Sequence, residues 1–144
     1  MIPEFEDATG NLPPGIHPAT WDEVVDRFGL TPWRRQLLEG LRRALDSLES
    51  AGCRGVYIDG SFVTRKDIPG DFDGCWEAAG VDPDKLDPAL LEFANLRAAQ
   101  KAKFLGELFP AEADADPYGN SFLDFFQMDR DGKPKGIVAV DLGK

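Results

Sequence analysis

Two aspartates one residue apart, Asp71 and Asp73, are the pair in this chain best suited to act together. In a strand, residues i and i+2 project from one face, so both carboxylates would aim at a single point. A hard divalent cation such as magnesium takes that kind of donor set. Without a cation between them the two charges repel, and one is pushed toward protonation. Upstream, the β-prone run Val56-Tyr57-Ile58-Asp59 ends in Gly60-Ser61. Gly60 lets the backbone come close to a bulky anion, and Ser61 offers a hydroxyl and an N–H at the opening of a helix. Phosphate on one side and metal on the other outline a site for a nucleoside triphosphate. Arg65 and Lys66 follow closely enough to help with the phosphate charge, although such bases more often lie in a solvated loop.

Other chemistries fail on residue identity. Gly55 to Phe62 has the glycine spacing of a P-loop, but Ser61 and Phe62 stand where Lys and Ser/Thr are required. Asp129-Arg130-Asp131-Gly132 hints at a calcium loop, yet Gln127 and Val138 hold its first and last ligand positions, which favours a hairpin turn. A Ser-His-Asp hydrolase would depend on the lone His17, and Ser61 lacks the glycines of a nucleophile elbow. Cys53 and Cys75 lie beside predicted strands and read as small buried thiols.

The elements around these residues follow from periodicity and caps. Residues 1–19 are rich in Pro, Gly and acids and are expected to form an extended arm. Thr20 caps a short helix to Phe28, stopped by Gly29. Thr31-Pro32 opens a second helix to about Ser50, with Trp33, Leu37, Leu41, Leu45 and Leu48 as its apolar stripe. Strands are predicted over Gly55–Asp59, Asp71–Glu77, Glu107–Phe109 and Gly136–Leu142. Asp87-Pro88 predicts the start of a helix reaching Phe104, with Ala94, Ala98 and Ala102 lying close to a sheet. Ser121 is expected to cap a short helix through Phe126. The order of elements predicts an α/β (α+β) domain over residues 20–144, a small mixed β-sheet flanked by helices.

Composition narrows the partners. The chain has 144 residues, 42% hydrophobic, with 26 acids against 16 bases and a formal net charge of -10. Such a surface repels polynucleotide backbones at long range, so a general nucleic-acid coat is excluded, whereas a nucleotide arriving with its magnesium is compatible. The first residues have neither the basic nor the apolar region of a signal peptide, and no apolar run is long enough to span a bilayer. A cytoplasmic protein with no membrane partner is the expectation.

Asp59-Gly60-Ser61, a ten-residue step and Asp71-Phe72-Asp73 together resemble the signature of the DNA polymerase β-type nucleotidyltransferase superfamily. The likeness is to the small bacterial minimal nucleotidyltransferases, several of which belong to toxin–antitoxin pairs. Leu12-Pro13-Pro14-Gly15, Gly70-Asp71-Phe72-Asp73-Gly74-Cys75-Trp76, Phe125-Phe126-Gln127 and Lys135-Gly136-Ile137 are also similar to pieces of uncharacterised bacterial relatives. The resemblance implies a nucleotidyltransferase-like fold and transfer of a nucleoside monophosphate from NTP to a protein, RNA or small-molecule hydroxyl. It implies that Gly60 and Ser61 bind the triphosphate and that Asp71 and Asp73 bind two magnesium ions. A third acid on a later strand is implied as well: Glu107, flanked by Gly106 and Leu108, with Asp124 as its rival. The alternative implied is a catalytically inactive module of the same fold that regulates a partner, such as a cognate toxin or antitoxin. The resemblance leaves open which half of such a pair the chain would be.

Overall fold

The caps written into the sequence set the first half of the chain. A computed structural model describes residues 2–142. Helix α1 (Trp21–Phe28) starts on a reciprocal capping box between Thr20 and Glu23. Helix α2 (Pro32–Ser50) starts on Thr31, whose hydroxyl accepts from the Arg34 N–H, with Pro32 in the first turn. The buried face of α2 is Leu37, Leu38, Leu41, Ala44, Leu45 and Leu48, and it carries one charged member, Arg34.

Five strands form one mixed sheet: β1 (Gly15–Ala19), β2 (Gly55–Asp59), β3 (Phe72–Trp76), β4 (Gly106–Pro110) and β5 (Gly136–Asp141). Their order is β1-β5-β2-β3-β4. The outer pairs β1/β5 and β3/β4 are parallel, and the inner pairs β5/β2 and β2/β3 are antiparallel. Alternation sorts the side chains. Val56, Ile58, Phe72, Leu108, Val138 and Val140 join the main core with α2. The opposite face carries a smaller cluster of Cys75, Ala111, Phe126 and Ile137, over which the short helix α4 (Phe122–Phe125) lies, capped by Ser121. This is the mixed sheet flanked by helices that the order of elements predicts.

Three expectations change. Residues 15–19 are not part of an extended arm but β1, an edge strand paired with β5. Pro18 is compatible with a strand because it sits at the sheet's edge. The helix expected from Pro88 to Phe104 is broken: a 3-10 turn covers Pro88–Leu91, and α3 runs over Ala94–Phe104 with a left-handed stretch at Asn95, Leu96 and Arg97. Ala94, Ala98 and Ala102 are exposed rather than packed. Instead α3 buries Gln100 and Phe104, and the close approach comes from Gly40 of α2, where a Cβ would collide with the Phe104 carbonyl. Finally, β3 starts at Phe72, so Asp71 stands just outside the strand. No helix among the described residues is long and apolar enough to cross a membrane.

Candidate functional site

The turn after β2 is fixed by two features. Gly60 has φ 92 and ψ -178, a region essentially open only to glycine. A single 3-10 turn, Ser61–Val63, follows. The backbone beyond it is held by Arg34, which is 6% exposed. Its guanidinium donates to the carbonyls of Phe62 (2.7 Å), Thr64 (3.0 Å) and Lys66 (2.5 Å), and at 3.4 Å to Phe28. Trp33 Nε1 donates to the Pro69 carbonyl at 2.5 Å. The start of α2 thus grips the loop that joins β2 to β3.

Acids gather at the same end of the sheet. Asp59 on β2 is in register with Asp73 on β3, and Asp73 with Glu107 on β4. Partners in register point to one side, so these three carboxylates share the face opposite α2. Asp59 is 4% exposed and its Oδ1 lies 2.6 Å from Lys135 Nζ. Burial nonetheless outweighs that attraction and raises the Asp59 pKa. Asp73 Oδ1 is buried with no hydrogen-bond partner among the described residues. Burial first, then the charges of Asp59 and Asp71, push the Asp73 carboxyl up to about 7. Asp71 is raised by burial and by Glu107.

A cleft of about 860 Å³ opens beside these acids. Gly60, Ser61, Arg65, Lys66, Asp71 and Asp73 all line it, so six of the residues singled out in the sequence meet there. Arg65 is partly engaged already, donating to the Asp7 carbonyl at 3.0 Å and, through its backbone N–H, to Gly10 at 2.9 Å. Glu107 and Asp124 are not among the lining residues. Glu107 is bound to Arg97 at 2.8 Å with Lys101 at 3.7 Å, and Asp124 sits exposed on α4. Glu107 therefore has the register expected of a third acid but not the freedom.

Several contributors to the cleft are not legible in the sequence. Asp59 and Lys135 form the buried ion pair at the cleft's inner end. Thr9, Gly10 and Asn11 bring the N-terminal segment to its rim, and Phe125, Phe126 and Met128 give an apolar wall. The signal for Arg34 was present, since it falls on the buried stripe three residues before Leu37. The carboxylates lining the cleft that could serve a cation are Asp71 and Asp73, and Asp73 Oδ1 is buried without a partner among the described residues. Among the described residues no group of three or more His, Cys, Asp or Glu side chains is placed to hold a metal ion.

Residues 3–141 match the model of a family of unknown function, DUF6932, and the chain belongs to that family. No curated protein and no solved structure matches it.

Proposed function

We propose that the protein is a magnesium-dependent nucleotidyltransferase with a nucleotidyltransferase-like fold, acting on a nucleoside triphosphate in the cleft beside Asp71 and Asp73. The observation that carries this reading is the partnerless, buried Asp73 Oδ1 beside the Gly60-Ser61 turn. A buried carboxylate oxygen without a donor is costly unless a cation supplies the missing partner. Magnesium is commonly held by one or two carboxylates plus substrate phosphates, so a protein set of two acids is sufficient. When bound, the ion would neutralise phosphate charge and acidify the acceptor hydroxyl.

The chain's own groups have separable roles in this reading. Gly60 and Ser61 present backbone and hydroxyl to the outer phosphates, with Arg65, Lys66 and Lys135 as the nearby positive charges. Arg34 keeps that loop in one shape, which matters because phosphoryl transfer depends on positioning and charge more than on covalent chemistry. Phe125, 43% exposed, and Met128 offer an apolar wall to the nucleobase. The acceptor oxygen bonds to the α-phosphorus, the bond from that phosphorus to the bridging oxygen breaks, and pyrophosphate leaves with the electron pair. The acceptor's proton passes to water.

The test is incubation of purified protein with magnesium and each α-labelled NTP, alone and with protein, RNA and small-molecule acceptors. Transfer of label with release of pyrophosphate is expected, and it should vanish in Asp71→Asn and Asp73→Asn. A second reading, an inactive module that binds a partner protein, is favoured by one observation: Glu107 is tied into ion pairs instead of facing the cleft. Nucleotide binding without transfer to any acceptor would favour it.

A further inference from the structure

Lys135 reaches the acidic end of the cleft from a backbone fixed on two sides. Its N–H donates to the Gln127 carbonyl at 2.8 Å, and the next N–H, that of Gly136, donates to the Leu12 carbonyl at 3.1 Å. A Cβ at Gly136 would collide with the Pro13 carbonyl, so only glycine lets these segments close up. Leu12-Pro13-Pro14-Gly15, Phe125-Phe126-Gln127 and Lys135-Gly136-Ile137 are far apart in sequence and meet around this one side chain.

What they place is an ammonium among carboxylates. Lys135 Nζ lies 2.6 Å from Asp59 Oδ1. Asp59 faces Asp73 across an antiparallel pair, where facing Cβ atoms are about 5 Å apart. The Lys135 charge is felt at Asp73 too, where it opposes the rise in pKa that burial causes. Asp59, Asp71, Asp73 and Lys135 all line the cleft. With the three acids ionised, their charge less that of the ammonium leaves two negative charges, which one divalent cation balances. A second ion on Asp59 would have to displace its buried counter-ion, and breaking such a pair is costly.

We propose that the cleft takes one divalent cation, on Asp71 and the partnerless Asp73 Oδ1, and that the Lys135 ammonium, seated by Asp59, stands in place of a second. This rests on the magnesium reading of the cleft and departs from the two ions that the sequence resemblance implies. The donor set fits one ion: Asp59 is already neutralised, and no group of three metal-ligating side chains is found among the described residues. An ammonium has three protons, and Asp59 Oδ1 uses one, so Lys135 can also donate to a substrate phosphate. Unlike an ion it does not dissociate, and it is in place as soon as the chain has folded.

The experiment counts Mn²⁺ on the full chain by electron paramagnetic resonance, without nucleotide and with each of the four α,β-methylene nucleoside triphosphates, which resist cleavage at the reacting bond. Parent protein should bind one Mn²⁺ per chain, with no spin coupling between ions. Lys135→Met frees Asp59 and should admit a second Mn²⁺, whose coupling to the first broadens the spectrum. Lys135→Arg keeps the charge and should bind one, and Lys135→Met/Asp59→Asn should return to one. Lys135→Gln, which can still hydrogen-bond Asp59, gives the same comparison if Lys135→Met does not fold. Two coupled ions in the parent overturn the inference and leave the magnesium reading standing. So does a single ion in the folded Lys135→Met or Lys135→Gln protein. Absence of Mn²⁺ binding in every variant and condition overturns the magnesium reading and this inference with it.

Discussion

Gly60 and Asp73 occupy space that only a glycine at position 60 allows: a Cβ there would run into Asp73 Oδ1. The same residue has a positive φ of 92 that side chains resist. Gly60 thus protects the geometry of the acid at least as directly as it opens room for a phosphate.

Gly60→Ala should therefore destabilise the fold by roughly 2–4 kcal/mol, from the conformation and the collision together. In an Asp73→Ala background the collision is gone and only the conformational part, roughly 1–3 kcal/mol, should remain. Urea denaturation of the four members of this cycle reads the difference. Equal penalties in both backgrounds would show that the Gly60–Asp73 contact has no energetic weight.

Lys135 is the counter-ion of the 4% exposed Asp59. Removing one partner of such a pair leaves a buried charge, so Lys135→Met should cost about 3–5 kcal/mol. Lys135→Met/Asp59→Asn should recover much of it. Because Lys135 also holds the Asp73 pKa down, Lys135→Met should move that pKa above its value of about 7. Carbon NMR of the Asp73 carboxyl would follow the change.

The raised Asp73 pKa gives a pH dependence whose sign is fixed. The folded protein holds the Asp73 proton up to about 7, whereas the unfolded chain releases it near the ordinary aspartate value of 3.8. Between those values the native state binds more protons, so this group's contribution to stability is full below about 4 and declines as pH rises to about 7. Asp73→Asn should flatten that part of the stability profile. Magnesium must compete with the same proton, so its affinity for the parent should rise through pH 7.

Arg34 is expected to govern the loop rather than the chemistry. Arg34→Met leaves the carbonyls of Phe62, Thr64 and Lys66 without their donor and should cost on the order of 3 kcal/mol. Arg34→Lys keeps a charge but lacks the planar fork, so it should restore only part of the loss. Hydrogen exchange at residues 61–68 should rise in both variants more than in the core of α2. Uniform protection across the loop would contradict the role given to Arg34.

Sequence and structure agree where the determinants are local. Thr20-x-x-Glu23 and Thr31-Pro32 carry their own helix starts, and both helices begin where those residues require. The Gly60-Ser61 turn and the Asp71/Asp73 pair come together because β2 and β3 are consecutive strands that pair antiparallel, so the end of one meets the start of the other. Longer-range pairings were hidden. Strand β1 exists through its partner β5, about 120 residues away, and its His-Pro content does not suggest a strand. The break in α3 follows from Arg97 meeting Glu107 and Phe109, a tertiary preference that local helix propensity does not register. Lys135 and Asp59 are likewise partners that no spacing rule brings together.

The measurement closest to the central claim is thermal melting of parent and Asp73→Asn in EDTA, in magnesium, in each NTP, and in magnesium with each NTP. A ligand that binds only the folded state adds about 2.7 kcal/mol at roughly a hundred times its dissociation constant. For a chain of this length that raises the midpoint by roughly 9 °C. The account predicts that rise for the parent with magnesium and at least one NTP together. It also predicts that at pH 8, where Asp73 is charged because its pKa is about 7, Asp73→Asn in EDTA melts at or above the parent, relieved of its buried partnerless charge, yet gains little from magnesium and NTP. A parent that no NTP stabilises in magnesium, alongside an Asp73→Asn variant less stable in every condition, would contradict it.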